Sequence, residues 1–372
     1  MPSESAFRRP EGTERLVAAL TGMEVPETRL MEVCGTHTMA IARAGLKRLL
    51  PPQVTLLSGP GCPVCVTPAG EVDRILRLAR EPGVTVVTYG DLMRVPGSRP
   101  DRTLARCRAE GADVRWVYSP MDALEIARDC PEREVVFLGV GFETTAPGTA
   151  LTVLEAERRG LKNFSLLSLL KLTPPALRAL LARPGARVDG FLCPGHVATV
   201  IGAEAFRFLP EEYGLPAVVA GFEPGDLLAA LCALLRQVRD GAPRLENEYL
   251  RAVAPEGNPA ARALMEQVLE PVDARWRGLG EIPASGLRLR DAWRNFDAGE
   301  RFALGPAEEG AEPARCRCGE VICGECGPED CPLFARACTP ETPVGPCMVS
   351  GEGACAAAYR YRGLTDGEEA ER

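Results

Sequence analysis

The chain has 372 residues, 46% of them hydrophobic, a formal net charge of −8 and fifteen cysteines. That apolar content excludes a disordered protein and suffices for more than one core. The acidic balance, without a Lys/Arg run, excludes the basic stripe that a nucleic-acid backbone requires, and no stretch approaches the ~20 apolar residues of a membrane span.

The opening MPSESAFRRPEGTERL has no apolar stretch of signal-peptide length, so a cytoplasmic protein is expected. In that reducing compartment, fifteen cysteines point to metal binding or thiol redox chemistry rather than to structural disulfides.

In chain order, residues 1–28 form an N-terminal segment assigned to pack on the C-terminal unit. From Arg29 onward, short β-rich apolar runs alternate with amphipathic stretches, the pattern of parallel sheets covered by helices. Strands are predicted at residues 30–33, 54–57, 84–89, 114–118, 135–140, 164–169, 188–192 and 217–220. Helices are predicted over 39–50 and 69–80, with further starts near Pro147, Pro174, His196 and Pro224, where proline suits a first turn. The fold class is therefore α/β, with one domain over 29–132 and a second over 133–242. Residues 245–276 then read as helices, and 277–302 as irregular. Eight cysteines between Cys316 and Cys355 make residues 243–372 a metal-dependent, mainly helical or irregular unit, ending in an acidic tail over 366–372 expected to be disordered.

Cys34, in MEVCGTHTMAIARAG, follows a predicted strand and precedes a helix that Thr36 or Thr38 can cap. The positive helix end favours a thiolate there, although a small buried residue at a tight turn is the alternative. At the next corner, LLSGPGCPVCVTPAG, Cys62 and Cys65 form a CxxC able to close a disulfide or chelate one metal. Both corners fall at strand carboxyl ends, where open α/β sheets bind their ligands. His37 is a fourth ligand, a hydrogen-bond donor to one, or part of the turn. A thiolate-rich site with an incomplete ligand set suits iron that must accept small ligands or be handed on.

His196, in FLCPGHVATVIG beside Cys193, is either a second active-site group or a helix-start histidine bonded to backbone. Gly139 to Pro147, GVGFETTAP, has Thr144 where a dinucleotide loop needs glycine, which excludes a nicotinamide site. Glu143, Thr144 and Thr145 can bind a polar ligand, but capping the next helix is the simpler reading. Cys107, Cys130 and Cys232 lack metal-like spacing and read as packing residues. The eight C-terminal thiols exceed one cluster's need. Their spacing favours iron–sulfur over a structural zinc built on Cys318, Cys323, Cys326 and one more thiol.

Together, CGTH, GPGCPVCVTP, TYGDLMRVPGS, GFETTAP, CPGH, EGN, WRGLG and the final cysteine segment resemble the HypD family of hydrogenase maturation factors, from about Arg29 to Tyr359. The resemblance implies two α/β domains and an iron–sulfur domain. It also implies a scaffold that, with the small chaperone HypC, assembles the Fe(CN)2CO unit of [NiFe]-hydrogenases and receives cyanide from HypE. The expected product is an assembly scaffold rather than an enzyme with turnover of its own.

By the same resemblance, Cys34, Cys62 and Cys65 match essential thiols, with Cys34 and Cys65 at the iron and Cys62 a redox partner of Cys65. His37, Glu143, Thr144 and His196 become cleft residues. Cys316, Cys331, Cys338 and Cys355 become [4Fe-4S] ligands, and Cys318 and Cys347 a nearby dithiol. Cys323 and Cys326 depart from the family pattern. An iron–sulfur thiol-disulfide reductase is the competing expectation, and a zinc-stabilised interaction protein the third.

Overall fold

The computed structural model describes residues 10–362. In chain order its strands are β1 (Thr28–Glu32), β2 (Val54–Ser58), β3 (Val84–Thr88), β4 (Asp113–Trp116), β5 (Glu134–Gly141), β6 (Phe164–Leu170), β7 (Gly190–Pro194), β8 (Ala217–Ala220), β9 (Leu245–Asn247), β10 (Leu269–Trp276) and β11 (Gly280–Leu289). The first eight fall within about two residues of their predicted ends. Strands buried on both faces are continuous runs such as Val84–Thr88, which is buried throughout and therefore visible in sequence.

Two parallel sheets result, ordered β2-β1-β7-β8-β9 and β4-β3-β5-β6, with β10 and β11 pairing antiparallel beside them. The strands do not group along the 29–132 and 133–242 division. After β2 the chain crosses to build the whole second sheet, then returns to lay β7 beside β1, Leu30 opposite Gly190. The two sheets are interleaved in sequence.

Three further expectations are corrected. Within 245–276 only Pro259–Val268 is an α-helix; β9 and β10 occupy the ends of that stretch, and β11 occupies much of the segment read as irregular. The helix Pro10–Thr21 packs on Pro224–Asp240, not on the C-terminal unit, and buries Leu20 there. The acidic tail lies outside the described residues. No helix among the described residues is long and apolar enough to cross a membrane.

Of the eight C-terminal cysteines, Cys318, Cys347 and Cys355 sit on the short helices Cys318–Ile322, Pro346–Val349 and Ala354–Arg360, and the others on the turns that flank and join them. They do not form a separate core. One apolar cluster runs from Met31 and Val33 through Cys62 and Cys65 to Cys318, Cys347 and Cys355. Its largest buried side chain is Trp276, at the end of β10. Burial of each large apolar side chain contributes about 1.5–3 kcal/mol, so the cysteine segment is fastened to the sheets by the same force that folds them.

Candidate functional site

The carboxyl ends of β1, β2 and β7 in one sheet and of β5 in the other face a common cleft of about 450 Å³. Cys34, Thr144 and His196 line it together, with Gly61, Pro63, Phe142, Pro194 and Glu352.

Cys34 is itself the N-cap of the helix Gly35–Arg43, at φ −150° and ψ 121°; Thr36 and Thr38 lie inside the first turn. The expected lowering of its pKa does not hold. Burial pushes the thiol up to about 12, outweighing the downward pull of the His37 and Thr36 amides at the helix end. The corner is held from below by Glu32, a buried carboxyl that accepts from the Cys34 N–H at 3.1 Å and the Thr38 hydroxyl at 2.6 Å. From the side, Gly35 N–H donates to Gly61 O at 3.0 Å, and a Cβ on Gly61 would overlap the Cys34 backbone.

Beyond Gly61, Cys62 caps the short helix Pro63–Val66, whose Pro63 needs no N–H at the first turn. Cys62 and Cys65 are joined as a disulfide, Cα–Cα 5.2 Å. Both are buried, immediately behind Pro63 of the cleft wall.

His196 stacks on Phe222 at 3.8 Å between ring centroids; burial lowers its pKa, and Glu352 opposes that shift. Two expected cleft residues face elsewhere. His37 is fully buried, and its Nε2 donates to Ala220 O and Gly221 O at 3.2 and 3.0 Å, tying the Cys34 helix to the end of β8. Burial lowers its pKa to about 4. Glu143 caps not the helix that follows it but Thr173–Leu181, accepting from Thr173 N–H at 2.7 Å and its hydroxyl at 2.8 Å. Burial raises its pKa to about 7.

Three residues that carry the site were not singled out in the sequence. Glu32 is one. Glu352 enters the cleft from the C-terminal segment, where the Thr36 hydroxyl donates to it at 2.7 Å, and its own N–H is held by Ser350, which donates to Asp91 at 2.8 Å. Arg277, in the β10–β11 turn, is buried between the disulfide corner and the C-terminal cysteines. Its N–H donates to Val66 O, its guanidinium donates to Thr67 O at 2.7 Å, and it pairs with Glu312.

Behind Arg277, the Cys318 and Cys347 sulfurs are 2.8 Å apart, and the helices bearing them both pack on Pro63–Val66. The contact with Cys347, helped by Arg277, lowers the Cys318 pKa, while Cys318 raises that of Cys347. Cys316 is pushed up to about 12 by burial, with Cys318, Cys331 and Cys355 in electrostatic reach; Cys338 feels Cys355 and Cys331. Cys323 closes the helix Cys318–Ile322 and donates to Gly278 O at 3.4 Å, and Cys326 is half-buried beyond it; burial raises both to about 11. Among the described residues, no three His, Cys, Asp or Glu side chains are arranged to hold one metal ion. Cys107, Cys193 and Cys232 are buried and Cys130 half-buried, all as free thiols.

Residues 13–362 match the family model described as "HypD: Hydrogenase formation hypA family". The chain is 50% identical over 362 residues to the hydrogenase maturation factor HypD of Azotobacter vinelandii, covering 95% of each chain. It is 48% identical to that of Cupriavidus necator over 97% of each, and 47% identical to that of Escherichia coli over 90% of this chain and 89% of the other. On this match, which spans both sheets, the cleft and the cysteine segment, the chain belongs to the HypD family of hydrogenase maturation factors.

Proposed function

We propose that this maturation factor is a cytoplasmic scaffold on which the Fe(CN)2CO unit of a [NiFe]-hydrogenase is assembled, together with a HypC-type chaperone and a HypE-type cyanide donor. One observation carries the reading. The Cys62–Cys65 disulfide stands between the cleft bearing Cys34 and the Cys318/Cys347 pair, so substrate thiol and reducing thiols share one wall.

The iron under assembly is the substrate. Cys34 offers it a thiolate at the helix end once iron binding displaces the thiol proton, and Cys65 offers a second when the disulfide is reduced. Release of cyanide from a donor thiocyanate is reductive: the reduced Cys62/Cys65 pair loses two electrons to become the disulfide, and the donor sulfur leaves as a thiol with HCN. Thiol-disulfide exchange with Cys318/Cys347 restores the pair. His196 and Thr144 line the cleft where cyanide leaves, whereas His37 and Glu143 hold its walls.

Cys316, Cys331, Cys338 and Cys355 are the thiols that would hold a [4Fe-4S] cluster: Cys331 and Cys355 lie within electrostatic reach of both Cys316 and Cys338 and push their pKa values up, an arrangement that a cationic group among them would relieve. Such a cluster supplies one-electron reduction.

Infrared spectroscopy of the anaerobically purified protein, produced with its maturation partners, tests the reading. Absorptions of metal-bound cyanide and carbonyl are expected. Their absence, with partner-independent reduction of a generic disulfide, would establish an iron–sulfur thiol-disulfide reductase instead.

A further inference from the structure

Away from the cleft, the end of β6, the hairpin β10–β11 and the helix Ala69–Leu78 enclose a cavity of about 300 Å³ lined by Glu71, Arg74, Ser168, Lys171, Asp273 and Arg275 among others. Lys171 is 4% exposed. Its Nζ donates to Arg275 O at 2.7 Å and stands 5.2 Å from the Trp276 ring centroid. Among the described residues it forms no ion pair; the carboxylate it feels is Glu71. An ammonium has three donors, and one carbonyl uses only one of them.

The second observation is Arg74. Its Nε is buried without a hydrogen-bond partner, while Nη1 contacts Glu71 at 3.3 Å. A buried unsatisfied donor costs about 1–3 kcal/mol and marks a place where an ion or water belongs.

The acidic side chains of the same walls are already engaged. Glu71 is on Arg74, Asp273 accepts from Ala284 N–H at 2.9 Å, and Glu281 faces Arg275 at 3.6 Å. Lys171 and Arg74 thus bring two cationic groups to the cavity lining, beside carboxylates that already carry partners. We infer that this cavity binds a small planar oxyanion, a carboxylate or bicarbonate, between the Lys171 ammonium and the Arg74 guanidinium. A planar anion matches the guanidinium edge and leaves its second oxygen for Lys171, a division of donors that a water molecule cannot satisfy with charge. Nothing in the cyanide chemistry proposed above uses these residues.

The Lys171–Trp276 contact gives the readout. With the full-length protein at constant ionic strength and chloride as reference, titration with acetate or bicarbonate should change tryptophan fluorescence saturably and raise the melting temperature. Lys171→Met and Arg74→Gln should each weaken that binding at least tenfold; two variants keep the test usable if one fails to fold. Phosphate binding more tightly than both planar anions would overturn the assigned class. No saturable response to any anion, or an unchanged response in Arg74→Gln, would overturn the site.

Discussion

The Thr36 hydroxyl donates to Glu352 Oε1 at 2.7 Å, joining the first turn of the Cys34 helix to the C-terminal cysteine segment 316 residues later. That bond closes one side of the cleft with a residue from the far end of the chain.

Thr36→Val keeps the shape of the side chain and removes the donor. Because Glu352 is exposed, the stability loss should stay below about 1 kcal/mol in urea unfolding. Hydrogenase activity in cells carrying the variant as their sole copy should nevertheless fall several-fold, since the loosened segment forms the cleft wall. Full activity would show that Glu352 is not needed there.

The Gly61 contact makes a sharper structural prediction. Gly61→Ala drives a Cβ into the Cys34 backbone, overpacking that costs about 1–3 kcal/mol or more. Gly90→Ala meets no atom within 4 Å and should lie within about 0.5 kcal/mol of the parent. Equal urea midpoints for the two variants would mean that the corners are not in contact.

Two buried groups give stability opposite pH slopes. His37, at about 4 when folded, leaves the unfolded chain binding more protons between about 4 and 6.5, so its contribution rises with pH there. Glu143, at about 7 when folded, makes the folded chain bind more protons between about 4.5 and 7, so its contribution falls with pH. Glu143→Gln retains an acceptor for Thr173 N–H but cannot titrate. Relative to the parent, its urea midpoint should improve on going from pH 5 to pH 7; a parallel pair of pH profiles would contradict the assignment.

Much of this was legible in the sequence. The parallel strands announced themselves as apolar runs, and Cys34, Thr144 and His196 met because each follows a strand's carboxyl end. Which sheet a strand joins was not legible, because β7 pairs with β1 across some 160 residues, a contact without local signature. The hairpin β10–β11 was hidden for a different reason. β10 carries a short alternation, Val272, Ala274 and Trp276 apolar between Asp273 and Arg275, but β11 does not: Pro283, Gly286 and the register shift opposite Val272 and Ala274 interrupt the pattern that marks a half-exposed hairpin. Glu32, Glu352 and Arg277 read as ordinary surface charges until folding supplies their partners. His37 and Glu143 lie in the right motifs, but helix geometry and the next helix turn them away from the cleft. Cys34 shows how placement misleads when burial is unknown, since desolvation outweighs the helix end.

The central claim is that Cys34 holds the iron on which cyanide and carbon monoxide are assembled. Cys34→Ala, produced anaerobically with the maturation partners, should lose the infrared absorptions of metal-bound cyanide and carbonyl while keeping the iron and acid-labile sulfide of a [4Fe-4S] cluster. Cys107→Ala, a buried thiol outside the cleft, should keep both. Cyanide and carbonyl absorptions of parental intensity in Cys34→Ala would contradict the claim.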